Sequence, residues 1–419
     1  MINVNHDLTN KGYSNYENTM SVPRHRWYFY KEGFSPLLVE KAIEVANVKP
    51  EELIIDPFNG SGTTTLTSSL LGFRSTGIEV NPFTSFLSDA KTKTSSTNEI
   101  NRWRDSLMLA SQKKASSPLM GYSTFSKAPG LEKWLFNDDV LMAFEGAWAS
   151  TSDVKSRDLR KLLRLSLISS AMQNCNARRD GKCMKYKESW KRLGYDRTSF
   201  QERLFQNIEV IKEDINSTNI KKAPQIINGD SRTILKTDRS IDQFKLCITS
   251  PPYLNTFDYT DIYRPELFLG KFVKDTQQLY DIRLKTVRSH IQAKWKSPEQ
   301  LDFGLLFQQV MSHVNANRDA LMDKSIPTMI QAYFEDIYGV LKELRLKASK
   351  DAQVWFVVSN SAYADLEVPV DLIIGDIGAK AGWFLQEIGV LRYLKRRKTK
   401  YSPSVENLRE SVIVFSAGK

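Results

Sequence analysis

Cysteine is scarce in this chain: three in 419 residues, Cys175, Cys183 and Cys247. That number makes neither a disulfide framework nor a zinc site. Cys247 sits inside an apolar run and reads as a small buried hydrophobe. Histidine is also sparse. His6, His25, His290 and His313 show no paired ligand spacing, so no metal is expected. Long apolar runs are missing too, and none approaches the roughly 18 to 20 residues that span a bilayer. Met1 to Asn18 are polar and carry no apolar core of a signal peptide. The expectation is a cytoplasmic chain with no membrane association. Acidic residues are the last shortage: 48 Asp and Glu stand against 59 Lys and Arg, for a net charge of +11. The surplus favours a polyanionic partner. Many basic proteins bind no nucleic acid, so charge alone decides little.

What is present is organised around Thr249-Ser250-Pro251-Pro252-Tyr253. The run Phe244 to Ile248 before it reads as a buried strand. Two prolines then end it, because proline cannot donate to a sheet ladder. The corner falls at the carboxyl end of a strand, where open α/β sheets bind ligands. It carries a hydroxyl, carbonyls without ladder partners and an aromatic ring. Hydroxyl and carbonyl can accept from an NH2 group, and the ring can stack on a base. Taken alone, the same residues equally describe a proline turn with a core tyrosine.

Upstream, Ser35 and Pro36 form a helix start signal, with Leu37 to Ile43 following. Leu53 to Ile55 reads as a strand, ended by Asp56-Pro57-Phe58-Asn59-Gly60-Ser61-Gly62-Thr63 and a helix to about Leu71. Strand, glycine turn and helix make a nucleotide-type crossover. A Walker loop is excluded because no Lys follows Gly62. A second strand ends at Glu79, the place where an acid meets ribose hydroxyls. Asn81-Pro82 then turns the chain. A third strand ends at Asp230. Further on, 333–346 and 368–381 fit helices, 352–358 a buried strand, 383–390 the start of an edge strand and 410–415 a closing strand.

These motifs resemble those of the amino-group DNA methyltransferases, which methylate cytosine N4 or adenine N6 from S-adenosylmethionine. The Ser-Pro-Pro-Tyr form is the one most associated with N4-cytosine enzymes. The resemblance covers roughly residues 24–92 and 225–415. It implies an α/β fold: a Rossmann-like methyltransferase sheet with helical insertions. It also implies a cofactor site of Phe34, Ser35, Asp56, Phe58, Gly60, Gly62, Thr63, Glu79, Asn81, Pro82 and Asp230. The implied catalytic residues are Ser250, Pro251, Pro252 and Tyr253, acting on a base flipped out of double-stranded DNA. No covalent intermediate is needed, so no catalytic cysteine is expected.

The implied organisation is a polar, poorly ordered arm (1–22), a cofactor part (23–92) and a helical insertion (93–224) as the candidate target-recognition region. The catalytic-motif part (225–268), a second helical basic insertion (269–328) and the closing part of the catalytic domain (329–419) follow. Basic residues expected against DNA are Arg178, Arg179, Lys182, Lys185, Lys187, Arg288, Lys294, Arg396 and Arg397. The expected setting is restriction–modification or phage defence, with a cognate endonuclease as a partner. Competing readings are adenine-N6 methylation, RNA guanine-N2 methylation, or a DNA-binding subunit that kept the fold without the activity.

Overall fold

The computed structural model describes Leu8 and residues 11–14, 16–181, 183–396 and 399–418. Lys182 and Arg397, both expected against DNA, lie outside the described residues. Among the described residues the strands are β1 (Leu53–Asp56), β2 (Arg74–Glu79), β3 (Ala177–Asp180), β4 (Cys183–Tyr186), β5 (Gln225–Asn228), β6 (Phe244–Thr249), β7 (Ala348–Ser359), β8 (Ser361–Tyr363), β9 (Leu366–Val368), β10 (Phe384–Lys395) and β11 (Asn407–Ser416). The helices are α1 (Pro36–Val45), α2 (Thr63–Leu71), α3 (Pro82–Ala90), α4 (Thr97–Ala110), α5 (Asp138–Ser150), α6 (Arg157–Gln173), α7 (Arg197–Ser217), α8 (Ser231–Thr237), α9 (Tyr259–Ile262), α10 (Arg264–Leu269), α11 (Thr276–Arg283), α12 (Leu305–Ala316), α13 (Ile326–Lys347) and α14 (Val370–Lys380). Among them no helix is long and apolar enough to cross a membrane.

Seven strands form one sheet in the order β10-β11-β7-β6-β1-β2-β5. Neighbours are parallel, except that β11 runs antiparallel to both β7 and β10. This is the expected Rossmann-like sheet. Its order reverses between β1 and β6, since the chain leaves β1 toward β2 and β5 and returns to build outward from β6. A crevice opens at such a reversal, beyond the carboxyl ends of the strands.

Burial explains why these runs are strands. Every residue of β1 and β6 is buried, as expected for parallel strands covered on both faces. Successive side chains then serve opposite faces. Ile54, Leu246, Ile248 and Trp355 pack on Leu38, Val39 and Ala42 of α1. Ile55, Cys247, Val354 and Phe356 pack with Ile330, Phe334, Ile337 and Leu341 of α13. The predicted start of α1 is realised, with Ser35 Oγ accepting from Leu37 N at 3.3 Å and Pro36 in the first turn.

Three expectations need correction. The segment 93–224 is mostly helical, but Ala177 to Tyr186 is a β-hairpin rather than helix. Gly181, at φ +61°, turns the chain between the paired residues Asp180 and Cys183. In 269–328, residues 284–304 contain no helix, and helix returns only at α12. The expected loose arm is in part packed. Leu8 is buried, Tyr13 O accepts from Ser35 N at 3.0 Å, and 3-10 turns run over Lys11–Tyr13 and Tyr16–Ser21.

The insertion shares a core with the segment that follows β2. Phe144, Leu163, Phe200 and Leu204 join Phe83 and Leu87 of α3 in one cluster. Asp214 of α7 fastens it further. This buried carboxylate accepts from Arg24 N at 2.7 Å, from Trp27 Nε1 at 2.8 Å and from the Arg26 guanidinium at 2.7 Å. Removing it strands three donors, two of them buried. Asp214→Ala is therefore expected to cost about 3 to 5 kcal/mol. Urea unfolding followed by tryptophan fluorescence measures this, and an unchanged midpoint would contradict it.

Candidate active site

A cavity of about 330 Å³ opens at the carboxyl edge of β1, β2 and β6. Its floor is the loop between β1 and α2. Gly60 there has φ +48°, and a Cβ on Gly62 (φ +85°) would lie 2.7 Å from Ser88 Cβ. Glu79 sets the shape of this loop. One of its oxygens accepts from Gly60 N and the other from Asn81 N, both at 2.8 Å. Asn59 packs so closely on β2 that a side chain on Gly77 would clash with it at 2.4 Å. Glu79 opens onto the cavity yet is ringed by protein, and desolvation raises its pKa.

Asp56 ends β1 beneath this loop. Its Oδ1 accepts from Phe58 N at 3.0 Å and from Thr249 Oγ1 of β6 at 2.6 Å. The bond to Thr249 crosses the point where the sheet reverses. Burial pushes the carboxyl up to about 6 against these stabilising bonds.

The proline corner forms the facing wall. Ser250, Pro251, Pro252 and Tyr253 all line the cavity. The corner's exit is pinned by β8, with the Tyr363 hydroxyl donating to Leu254 O at 3.0 Å and Ser361 Oγ donating to the same carbonyl. Tyr253 donates its hydroxyl to Glu410 Oε1 at 2.9 Å, and Ser250 Oγ stands 3.5 Å from the same hydroxyl. Glu410 is buried on β11, and Arg392 from the register position opposite donates to its Oε2 at 2.6 Å. Burial, then the Glu410 charge, raises the Tyr253 pKa well above its ordinary value.

An aromatic wall closes another side. Tyr30 stacks on Tyr263 with ring centroids 5.3 Å apart. The Tyr263 hydroxyl donates to Glu32. Arg179 lies 4.3 Å over the Tyr263 ring and pairs with Glu266, which also accepts from the Tyr28 hydroxyl. The tip of the hairpin, Gly181, and the loop Lys285 to His290 reach the same cavity.

Of the expected cofactor residues, Phe34, Asp56, Phe58, Gly60, Thr63, Glu79, Asn81 and Asp230 line the cavity together with the whole proline corner expected to be catalytic. Ser35, Gly62 and Pro82 stand behind it, as helix cap, turn and first helical residue. Asp230 caps α8 and is already engaged, with Arg232 Nη2 2.8 Å from its Oδ2.

The basic residues divide. Arg178, Lys185 and Lys294 are exposed. Arg179 and Arg288 turn inward onto carboxylates, Arg288 placing Nη2 2.8 Å from Asp336 Oδ1. Lys187 donates to the Tyr195 hydroxyl at 3.1 Å and Arg396 to Ser402 O at 2.8 Å. Sequence reading missed Tyr30, Glu32, Tyr263, Arg392 and Glu410. One signal existed for Glu410: a lone acid opening an otherwise apolar strand run, Ser411 to Phe415.

Asp56 generates a prediction. A carboxyl whose folded pKa lies above its unfolded value stabilises while protonated, and that contribution disappears as pH rises through about 6. Asp56→Asn keeps an acceptor for Phe58 N and Thr249 Oγ1. Relative to wild type it is expected to gain nothing near pH 3.8, then increasingly more, reaching about 3 kcal/mol above pH 7. Urea midpoints measured across this range check the sign.

Comparison with known proteins adds to the geometry. Residues 7–85 match a family model described as DNA methylase, of the N6/N4 methyltransferases. The chain is 26% identical over 435 residues to the type II methyltransferase M.BsoBI of Geobacillus stearothermophilus, covering 92% of this chain and 84% of that one. It is 26% identical over 413 residues, with the same coverage, to the type II methyltransferase M.AvaI of Nostoc sp.. Among solved structures it matches TrmN from Thermus thermophilus at 8% identity and a TM-score of 0.32, over 94% of this chain and 52% of that one.

Proposed function

The chain belongs to the amino-group (N6/N4) DNA methyltransferases, and from that premise we propose a site-specific enzyme that methylates the exocyclic amine of a base in double-stranded DNA, cytosine N4 favoured. One observation carries the reading: the glycine loop with Glu79 and the Ser-Pro-Pro-Tyr corner face a single cavity. S-adenosylmethionine, the cofactor the family implies, supplies an electrophilic methyl on a sulfonium. The residues fit it. Glu79 has accepted two backbone hydrogen bonds and also interacts with the Thr84 hydroxyl, and a carboxylate offers about four acceptor directions, so capacity remains for a ribose hydroxyl. Gly60 leaves the loop backbone open to close approach. Phe58 and Asn81 flank the same space.

An exocyclic amine is a poor nucleophile because its lone pair is delocalised into the ring. Ser250 Oγ and the Pro251 carbonyl would accept its two N–H hydrogens and favour a pyramidal nitrogen. The lone pair would then be available to attack the methyl the cofactor would supply, with the S–C electron pair staying on sulfur and the nitrogen losing one proton to solvent. The site contributes positioning and electrostatics. The base must leave the duplex to reach the corner, and Tyr253 would stack on it there. The Ser at position 250 supports cytosine over adenine. Outside the cavity, the exposed face of the hairpin supplies Arg178 and Lys185 for phosphates. Cytoplasmic restriction–modification, with a cognate endonuclease, is the setting this activity suits.

Incubating plasmid DNA with the protein and labelled S-adenosylmethionine, then identifying the methylated nucleoside, tests this directly. N4-methylcytosine is expected; N6-methyladenine would transfer the reading to the alternative base. Ser250→Ala is expected to bind cofactor normally and lose about a hundredfold in rate. The pair Arg178→Ala and Lys185→Ala is expected to weaken DNA binding at all sequences. It should also flatten the salt dependence of log K by about 1 for each phosphate no longer neutralised. An unchanged slope would remove the hairpin from the interface.

A further inference from the structure

The corner does not stand alone, and the chain of bonds behind it has a direction. We propose that Glu410, held by Arg392, is a positioning residue that fixes Tyr253 and thereby keeps Ser250 a hydrogen-bond acceptor toward the substrate amine. This rests on the methyltransferase reading and adds a residue to it that lies far from every motif in sequence.

A tyrosine hydroxyl has one hydrogen. Here it is given to Glu410 Oε1 at 2.9 Å. The other carboxylate oxygen accepts from Arg392 Nε at 2.6 Å, so both oxygens of Glu410 are accepting. With its hydrogen committed, the Tyr253 oxygen offers only lone pairs on its other side. Ser250 Oγ lies on that side at 3.5 Å, a weak interaction that suits one polarity alone: serine donating, tyrosine accepting. The single serine hydrogen then points away from the substrate, and the Oγ lone pairs face the cavity.

This polarity matters for an NH2 substrate. A serine that accepts from the amine raises electron density on nitrogen. A serine that donates to the nitrogen would occupy the lone pair that must attack the methyl. The tether also holds the Tyr253 ring at one orientation for stacking. Arg392 and Glu410 occupy opposed register positions on β10 and β11 and both line the cavity, so the outer antiparallel strands reach into the corner through this pair.

The test is single-turnover methyl transfer to unmethylated plasmid DNA at saturating S-adenosylmethionine. Wild type, Glu410→Gln, Tyr253→Phe and the double variant are compared. Glutamine can turn an NH2 donor toward Tyr253 and release the polarity. Glu410→Gln is expected to slow transfer about 10- to 100-fold, the scale of one hydrogen bond to a charged group. KM for cofactor and DNA should stay within about twofold of wild type, since the effect lies in the transition state. Tyr253→Phe should slow transfer similarly, and adding Glu410→Gln to it should cost nothing more, because Glu410 acts through the missing hydroxyl. A Glu410→Gln enzyme as fast as wild type overturns the inference, and so does a Glu410→Gln effect that survives undiminished in the Tyr253→Phe background. Should Glu410→Gln fail to fold, Tyr253→Phe decides alone, and wild-type speed there overturns the inference. A wild type that transfers no methyl overturns the underlying reading and this inference with it.

Discussion

The bond from Thr249 Oγ1 to Asp56 Oδ1 joins the ends of the two strands between which the sheet reverses. Everything above the sheet is referred to it. From Asp56 the chain enters the glycine loop; from Thr249 it enters the proline corner. The loops must diverge, because their following segments cover different parts of the sheet, and the crevice between them is the cavity. The tie is costly, since it keeps a carboxyl out of water. Glu79 repeats the device one strand away, where a single carboxylate holds Gly60 and Asn81 in place. Two desolvated acids thus fix the geometry of a loop that has no regular structure.

Legibility in the sequence followed the range of the interactions. The glycine loop, the end of β2 and the proline corner announce themselves because each is a local device: a positive φ, a strand stop, a helix cap. The sheet follows from apolar runs buried on both faces. The hairpin Ala177–Tyr186 was obscured for a local reason. Its strands are four residues each and carry Arg178, Arg179, Asp180 and Lys185, directly after a long helix. Asp180-Gly181, a turn signal between short runs, was nevertheless there to be read. The wall residues Tyr30, Tyr263 and Arg392 were illegible because nothing in their neighbourhoods states what they face, and the lone acid Glu410 gave no sign of its partner. Glu410 and Tyr253 are 157 positions apart.

Charge shows the same contrast. A basic surplus was readable; its placement was not. Arg26 serves Asp214, Arg232 and Arg288 serve Asp336, and Arg179 serves Glu266. These arginines hold segments together: the stretch before α1 to α7, the loop after α11 to α13, the hairpin to α10. Their planar forks suit that work, since each satisfies several acceptors at once. The number of basic residues therefore overstates what is available to a polyanion; among the described basic residues expected against DNA, Arg178, Lys185 and Lys294 are the exposed ones.

The bond between Tyr253 and Glu410 also sets a timetable. β11 is the last strand of the sheet to be synthesised, and it enters between β7 and β10 rather than at the margin. A nascent chain that has finished β10 already carries the glycine loop, Glu79 and the proline corner. It still lacks the carboxylate that orients Tyr253, and β7 and β10 still lack the partner that joins them. Long-range pairing of this kind is slow to form and comes late. An incomplete chain can therefore own every recognisable motif and still have a loose corner, so that competence arrives with the closing of the sheet.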